Sequence, residues 1–172
     1  MPVPTSVLVN GSHQRVGTET CGMHAARVRP SHPEEDAMSL VAQLLDTYPK
    51  DLGKVDRDKL VACIEACIEC AQACTACADA DLSEDDVAEL RKCIRTCSDC
   101  ADVCETTGRV LSRHTGYDAN VTRTVLEACA TTCRAAGDEC HRHAEHHEHC
   151  RLCEEVCRRC EHACRDLLDS LG

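Results

Sequence analysis

The chain of 172 residues is long enough for one domain with a buried core, yet it has no Phe, no Trp and two Tyr, and 18 cysteines stand where core hydrocarbon is expected. A formal net charge of −11 leaves no basic stripe to neutralise phosphates or to settle on anionic lipid, which argues against nucleic acid and membrane surfaces as partners. No signal-type apolar run follows a basic segment near the N-terminus and no window reads as a membrane span, so the expected compartment is the cytosol, where thiols stay reduced and cysteine clusters bind metal or catalyse.

Residues 1–34 are rich in Pro, Gly, Ser, Thr and His without an apolar period and are expected to be a disordered N-terminal extension. Cys21 and His24 fall there and read as a chance pair more readily than as an external metal site. The domain proper is expected over residues 35–172. A short amphipathic helix is predicted over Glu35–Thr47, with Met38, Val41, Leu44 and Leu45 on one side and Pro49 as its stop.

Four longer helices follow. The first is predicted from Lys54 to Asp79. Ser83 reads as the N-cap of the second, with Asp85 and Asp86 at the positive end of its dipole; that helix runs to about His114, and Gly116 terminates it. Asp118 or Asn120 caps the third, which reaches about Ala144, and the fourth spans Glu148 to Leu171. No Gly or Pro separates these last two. A break near His146 is inferred because a single helix there would be about 80 Å long. Short connections make neighbouring helices antiparallel, so the expected fold is all-α: an antiparallel four-helix bundle with a short additional N-terminal helix.

The cysteines repeat in a fixed frame, C-x3-C-x2-C-x3-C. It occurs at Cys63, Cys67, Cys70 and Cys74, at Cys93, Cys97, Cys100 and Cys104, and at Cys153, Cys157, Cys160 and Cys164. The third helix keeps it with one replacement, as Cys129, Cys133, Ala136 and Cys140, and Cys77 and Cys150 extend two of the stripes. Alternating steps of four and three place each stripe on one helix face, the core face of a bundle. The residues between them, such as Glu65, Glu69, Arg95, Asp99, Arg158 and Glu161, are polar and should face out. Packing alone does not favour cysteine so uniformly over Leu, Ile and Ala. Disulfides are disfavoured because i,i+3 and i,i+4 Cβ atoms sit about 5–6 Å apart, beyond the disulfide optimum.

Converging thiolates select copper(I), zinc or iron–sulfur clusters. A monovalent ion matched one to one with thiolates leaves a dry core near neutral, whereas zinc on four thiolates leaves each site at about −2. Zinc and iron–sulfur clusters also want discrete sets of four ligands, and a continuous ladder has no boundaries between sets. Charge and geometry both favour several Cu(I) ions.

The frame, together with Thr47-Tyr48-Pro49 after the short helix, resembles the cytosolic class of bacterial copper storage proteins, over about four-fifths of the chain beginning near Met38. The resemblance implies a bundle formed before metal arrives, many copper(I) ions held by thiolates of facing helices, a homotetramer, and storage without catalysis. Ala136 interrupts the pattern and should thin the ladder locally.

Antiparallel packing gathers Cys77, Cys93, Cys140 and Cys150 at one end, together with His141, His143, His146, His147 and His149. His143 and His147 continue the stripe of Cys133 and Cys140, which makes them the expected metal contacts at a mouth, with Asp79 and Asp81 nearby; Leu60, Leu111, Val125, Leu126, Leu167 and Leu168 should close the other end. Two other functions compete. A general zinc or cadmium buffer resembling a metallothionein would use the same thiols at about one ion per four. A thiol redox enzyme is disfavoured, because no cysteine stands apart in an electropositive setting and no glycine-rich cofactor motif occurs.

Overall fold

The computed structural model describes residues 38–171, which form five helices. The extension over residues 1–34, with Cys21 and His24, lies outside the described residues. The first helix, α1 (Leu40–Asp46), starts where the Ser39 hydroxyl accepts the Ala42 amide at 3.2 Å. Its buried side is Ala42 and Leu45, while Met38, Leu40 and Leu44 are exposed. That corrects the single face predicted from Met38, Val41, Leu44 and Leu45: α1 touches only α2 (Arg57–Ser83), and so short a helix resting on one neighbour covers a narrow strip. Arg57 fastens it, donating to the Ala42 carbonyl at 3.0 Å and pairing with Asp46.

Asp56 caps α2 by accepting the Lys59 amide at 3.1 Å. The helix continues one turn past the predicted end at Asp79, so Ser83 belongs to its last turn and is not the next N-cap. The reason is Asp81, fully buried and bonded to His149 and Cys150, which holds the extra turn against the start of the last helix. Asp86 takes the N-cap position of α3 (Val87–Leu111), which stops short of the predicted His114. The following turn uses Gly116 at φ +68°, where a side chain would be strained. Asp118, rather than Asn120, caps α4 (Ala119–His141), accepting the Asn120 and Val121 amides at 2.8 and 3.4 Å. Turns then lead from Arg142 through the predicted break near His146 to α5 (Glu148–Ser170).

Each long helix packs on two neighbours in the cyclic order α2, α3, α4, α5, and the diagonal pairs do not pack backbone to backbone. The four rods therefore stand at the corners of a square, with side chains filling its middle. Gly108 of α3 faces α2, where an added Cβ would sit in ordinary contact, 3.5 Å from Cys67 Cβ. By length and composition α2 could cross a membrane, contrary to the reading that no window approaches a span. Its apolarity comes largely from cysteine and alanine, and its cysteines face the bundle interior.

Below the thiols, Leu60, Leu111, Leu126 and Leu167 close one end, with Val125 and Leu168 half-buried beside them. Leu126 is fully buried, so Leu126→Ala is expected to lower stability by about 2–5 kcal/mol, read from denaturant unfolding of the reduced metal-free chain. A loss below about 1 kcal/mol would show that this plug carries little of the fold.

Candidate metal centre

Seventeen cysteines, every one in the four stripes, are buried and free. Their sulfurs meet across both the sides and the diagonals of the square. From the closed end, Cys63 lies 3.7 Å from Cys164, and Cys67 lies 3.8 Å from Cys129 and 3.9 Å from Cys160. Cys104 follows at 3.6 Å from Cys129 and 3.4 Å from Cys133, and Cys70 at 3.9 Å from both Cys100 and Cys133. Cys74 is 3.5 Å from Cys157 and 3.7 Å from Cys153, and Cys97 is 3.5 Å from Cys140 and 3.9 Å from Cys153. At the open end Cys93 is 3.7 Å from Cys140, and Cys77 is 3.9 Å from Cys150. A disulfide would need about 2.05 Å. These are separate thiols at the spacing of two ligands on one ion.

Donor sets close enough to share a metal overlap. Cys160 belongs to a set with Cys67, Cys129 and Cys164 and to another with Cys70, Cys104 and Cys133; Cys70 recurs with Cys74, Cys100 and Cys157. A sulfur that serves two sets must bridge, which suits a chain of low-coordinate soft ions better than separate tetrahedra. Ala136 is fully buried in the same lining and contributes no ligand.

Protons are unevenly shared among the thiols. Hydrogen bonding with Cys164, then with Cys67, brings Cys63 down to about 5 against the opposing effect of burial. Contacts with Cys140 and Cys150 bring Cys93 down to about 4. Cys67 is pushed up by Cys129 and Cys160, and Cys133 by Cys100 and Cys104, with burial acting in the same direction. Each sulfur that binds must give up whatever proton it carries, so a metal entering the core displaces protons from it. Affinity therefore rises with pH. Loading an unbuffered sample should acidify it, and metal transfer to a chelator should increase as pH falls from about 8 to about 5. Retention independent of pH would contradict thiol ligation.

The histidine end is built from α2, α4, α5 and the α4–α5 turn. The rings of His143 and His147 are 6.5 Å apart and those of His147 and His149 are 5.4 Å apart. His147 is held between Glu84 at 3.2 Å and Asp86 at 3.5 Å; burial lowers its basicity, but these carboxylates, Glu84 first, raise it further. His143 faces Glu139 at 3.7 Å, and its Nε2 is buried without a hydrogen bond. His141 is exposed and pairs with Glu154 at 3.0 Å, and His146 is exposed.

Two features were ranked differently from sequence. His149, placed behind His143 and His147, lies beside the thiols: its Nε2 is 3.0 Å from buried Asp81, which also accepts from Cys150 at 3.4 Å. Burial, with the neighbouring Cys93, pushes Asp81 up to about 6. Asp79, expected beside Asp81 at the mouth, points to solvent. Asp81 was the residue to separate from it, because it sits four positions after Cys77 and so continues the stripe. Glu139 was missed altogether. It is buried against Lys92 at 2.5 Å and Arg142 at 3.3 Å; burial opposes its charge, but the Lys92 hydrogen bond and the cations around it hold its carboxyl below the usual range. Its signal was the step of four to His143.

A family model described as copper storage protein matches residues 56–169. Among solved structures, a copper storage protein from Streptomyces lividans loaded with 10 copper equivalents is 68% identical, with a TM-score of 0.75 over 76% of this chain and 98% of that one. A cytosolic copper storage protein from the same organism, carrying five coppers, is 69% identical, with a TM-score of 0.66 over 67% of this chain and 96% of that one. A more distant Cu(I)-bound copper storage protein is 36% identical, with a TM-score of 0.54 over 62% of this chain and 95% of that one. No curated protein sequence matches the chain.

Proposed function

Because this chain belongs to the copper storage protein family, we propose that its seventeen core cysteines hold a continuous array of copper(I) ions inside a bundle that is already folded. The protein is a cytosolic copper storage protein, and copper is its cargo. The observation that carries the ligand assignment is the sharing of Cys70 and Cys160 between neighbouring donor sets, because bridging sulfurs are what a neutral ladder of monovalent ions requires. Copper(I) is admitted at the histidine end, where His143 and His147 form the rim beside Glu84, Asp86 and Glu139. The leucine plug blocks the opposite end.

The role is retention of metal without turnover, and the copper-binding domain begins near residue 35. The chain self-associates as a homotetramer, a reading supported by the family resemblance and by exposed Leu40, Leu44 and Ile68 bordering one groove beside α1. Sedimentation of the reduced chain checks this, and a monomer at all concentrations would refute it.

The function is tested by anaerobic titration of the reduced chain with copper(I) against a competing chelator. Storage predicts saturation near one ion per core cysteine, about 17, from the matched charges of monovalent ion and thiolate. A metallothionein-like zinc or cadmium buffer predicts saturation at about one metal per four thiols.

A further inference from the structure

An ion pair near the histidine end runs level with a thiol pair. Lys92 of α3 meets Glu139 of α4 at 2.5 Å, and the next residue on each helix is a core cysteine, Cys93 facing Cys140 at 3.7 Å. We propose that Glu139 is a positioning residue for loading: anchored by Lys92, its carboxylate fixes this thiol pair and the α4–α5 turn, and so sets how fast copper(I) enters. The inference rests on the storage reading and on entry at the histidine end, and it assigns Glu139 no metal.

The placement of Glu139 is unfavourable on two counts. Its side chain is only 6% exposed, and it stands in the last turn of α4, where the negative end of the helix dipole opposes a carboxylate. The helix by itself does not call for an acid here. What the carboxylate does is gather three segments. Oε2 meets Lys92 from α3 at 2.5 Å and Arg142, the C-cap of α4, at 3.3 Å, while Oε1 faces His143 of the turn at 3.7 Å. Lys92 and Arg142 are themselves 63% and 64% exposed, so water serves their charges well; the buried acid is the partner that needs the contact.

The turn depends on that gathering. No Gly or Pro fixes the path from Arg142 to His147. Its direction is set where it leaves α4, and there Glu139 holds Arg142 twice: its carbonyl accepts the Arg142 amide at 3.1 Å, and its carboxylate pairs with the guanidinium. The amides of His146 and His147 then bond back to the His143 carbonyl at 3.0 and 2.9 Å, so a shift at Arg142 carries the rest of the turn with it. At 3.7 Å, Oε1 is too far to bond the buried His143 Nε2, and the acid steadies this ring through the path of the backbone. Cys140 also lies 3.5 Å from Cys97, so the clamp bears on three thiols. Copper(I) takes sulfur in preference to a hard carboxylate oxygen, so Glu139 acts through its neighbours.

The test uses the full reduced chain under anaerobic conditions and follows copper(I) transfer from a coloured chelator complex by stopped flow. Glu139→Gln keeps the shape and removes the charge; loading should slow by about tenfold, the scale typical of groups that orient ligands. The number of coppers at saturation should match that of the unsubstituted chain. A pair that only stabilised the fold would slow loading through lost stability, and a double variant, Lys92→Met with Glu139→Met, separates the two roles. It keeps the bulk and leaves no buried charge, so its thermal midpoint should equal or exceed that of the unsubstituted chain while loading stays slow. Amide hydrogen exchange should quicken over residues 139–147 and stay unchanged in the middle of each helix. The proposal is overturned if both variants load at the unsubstituted rate, if either saturates with fewer coppers, which would make Glu139 a ligand, or if exchange quickens throughout the bundle. Normal capacity with an unchanged rate would reject the positioning role alone. An unsubstituted chain that takes up no copper would reject storage, whereas quickened exchange confined to the turn would still support the clamp.

Discussion

Stripping copper from the loaded protein is expected to leave its helix content unchanged while lowering its thermal midpoint by about 10 °C or more. The first half of this expectation follows from what positions the sulfurs. Their separations of 3.4–4.0 Å are set by four rods that are capped by Asp56 and Asp118, plugged by Leu60, Leu111, Leu126 and Leu167, and fastened outside by pairs such as Arg158 with Asp138 at 2.6 Å. None of these contacts needs metal. Cysteine behaves as a small apolar residue when buried, so the cysteine-lined core still drives burial in the metal-free state.

The second half follows from linkage. One ion held at a free concentration a thousandfold above its dissociation constant stabilises the state that binds it by about 4 kcal/mol, and thiols of the unfolded chain, which also bind copper(I), recover part of that. Several ions share the folded core, so a net gain of at least a few kcal/mol remains, and each kcal/mol moves the midpoint by about 2–5 °C in a domain of this size. Circular dichroism of matched metal-free and loaded samples under anaerobic conditions measures both quantities. A metal-free chain without helix would refute the preformed bundle, and equal midpoints would mean that copper is not held by the folded core.

The cysteine stripes were legible because their signal is periodic: steps of four and three can serve only one helix face, and all seventeen striped cysteines are buried where that face turns inward. The histidine end and the leucine plug followed from chain direction alone. What escaped depended on single contacts between distant segments. Ser83 looked like a cap from its neighbours, but Asp81 reaches His149 across 68 positions of sequence and draws α2 onward by a turn. Glu139 drew no reading from sequence, because the partner that accounts for its burial, Lys92, lies 47 positions away. The ranking of His143 and His147 above His149 rested on extending the stripe of α4 past its end, whereas the helix stops at His141 and the turn that follows sets the ring directions. Periodic patterns survive such local contacts; end positions and mouth residues are decided by them.

Opposite changes at two neighbouring steps of α4 probe whether the array is a continuous ladder. Cys133 is fully buried, with thiol sulfurs at 3.4 Å (Cys104), 3.7 Å (Cys100) and 3.9 Å (Cys70 and Cys129). Cys133→Ser keeps the shape but puts a hard oxygen where copper(I) requires sulfur, and its neighbours lose a shared ligand. Capacity should fall by more than one ion, because a bridging sulfur serves more than one. Ala136 occupies the frame position one step along and is fully buried. Ala136→Cys should raise capacity by about one ion, at a cost of about 1–3 kcal/mol in the metal-free protein for the added atom. Both variants are read by metal analysis after saturation and removal of loosely held copper. Independent sites would give losses of one ion or none at Cys133 and no gain at Ala136, whereas discrete tetrathiolate sites would lose a whole zinc-type site at Cys133. A ladder is the arrangement in which one sulfur removed costs more than one sulfur added returns.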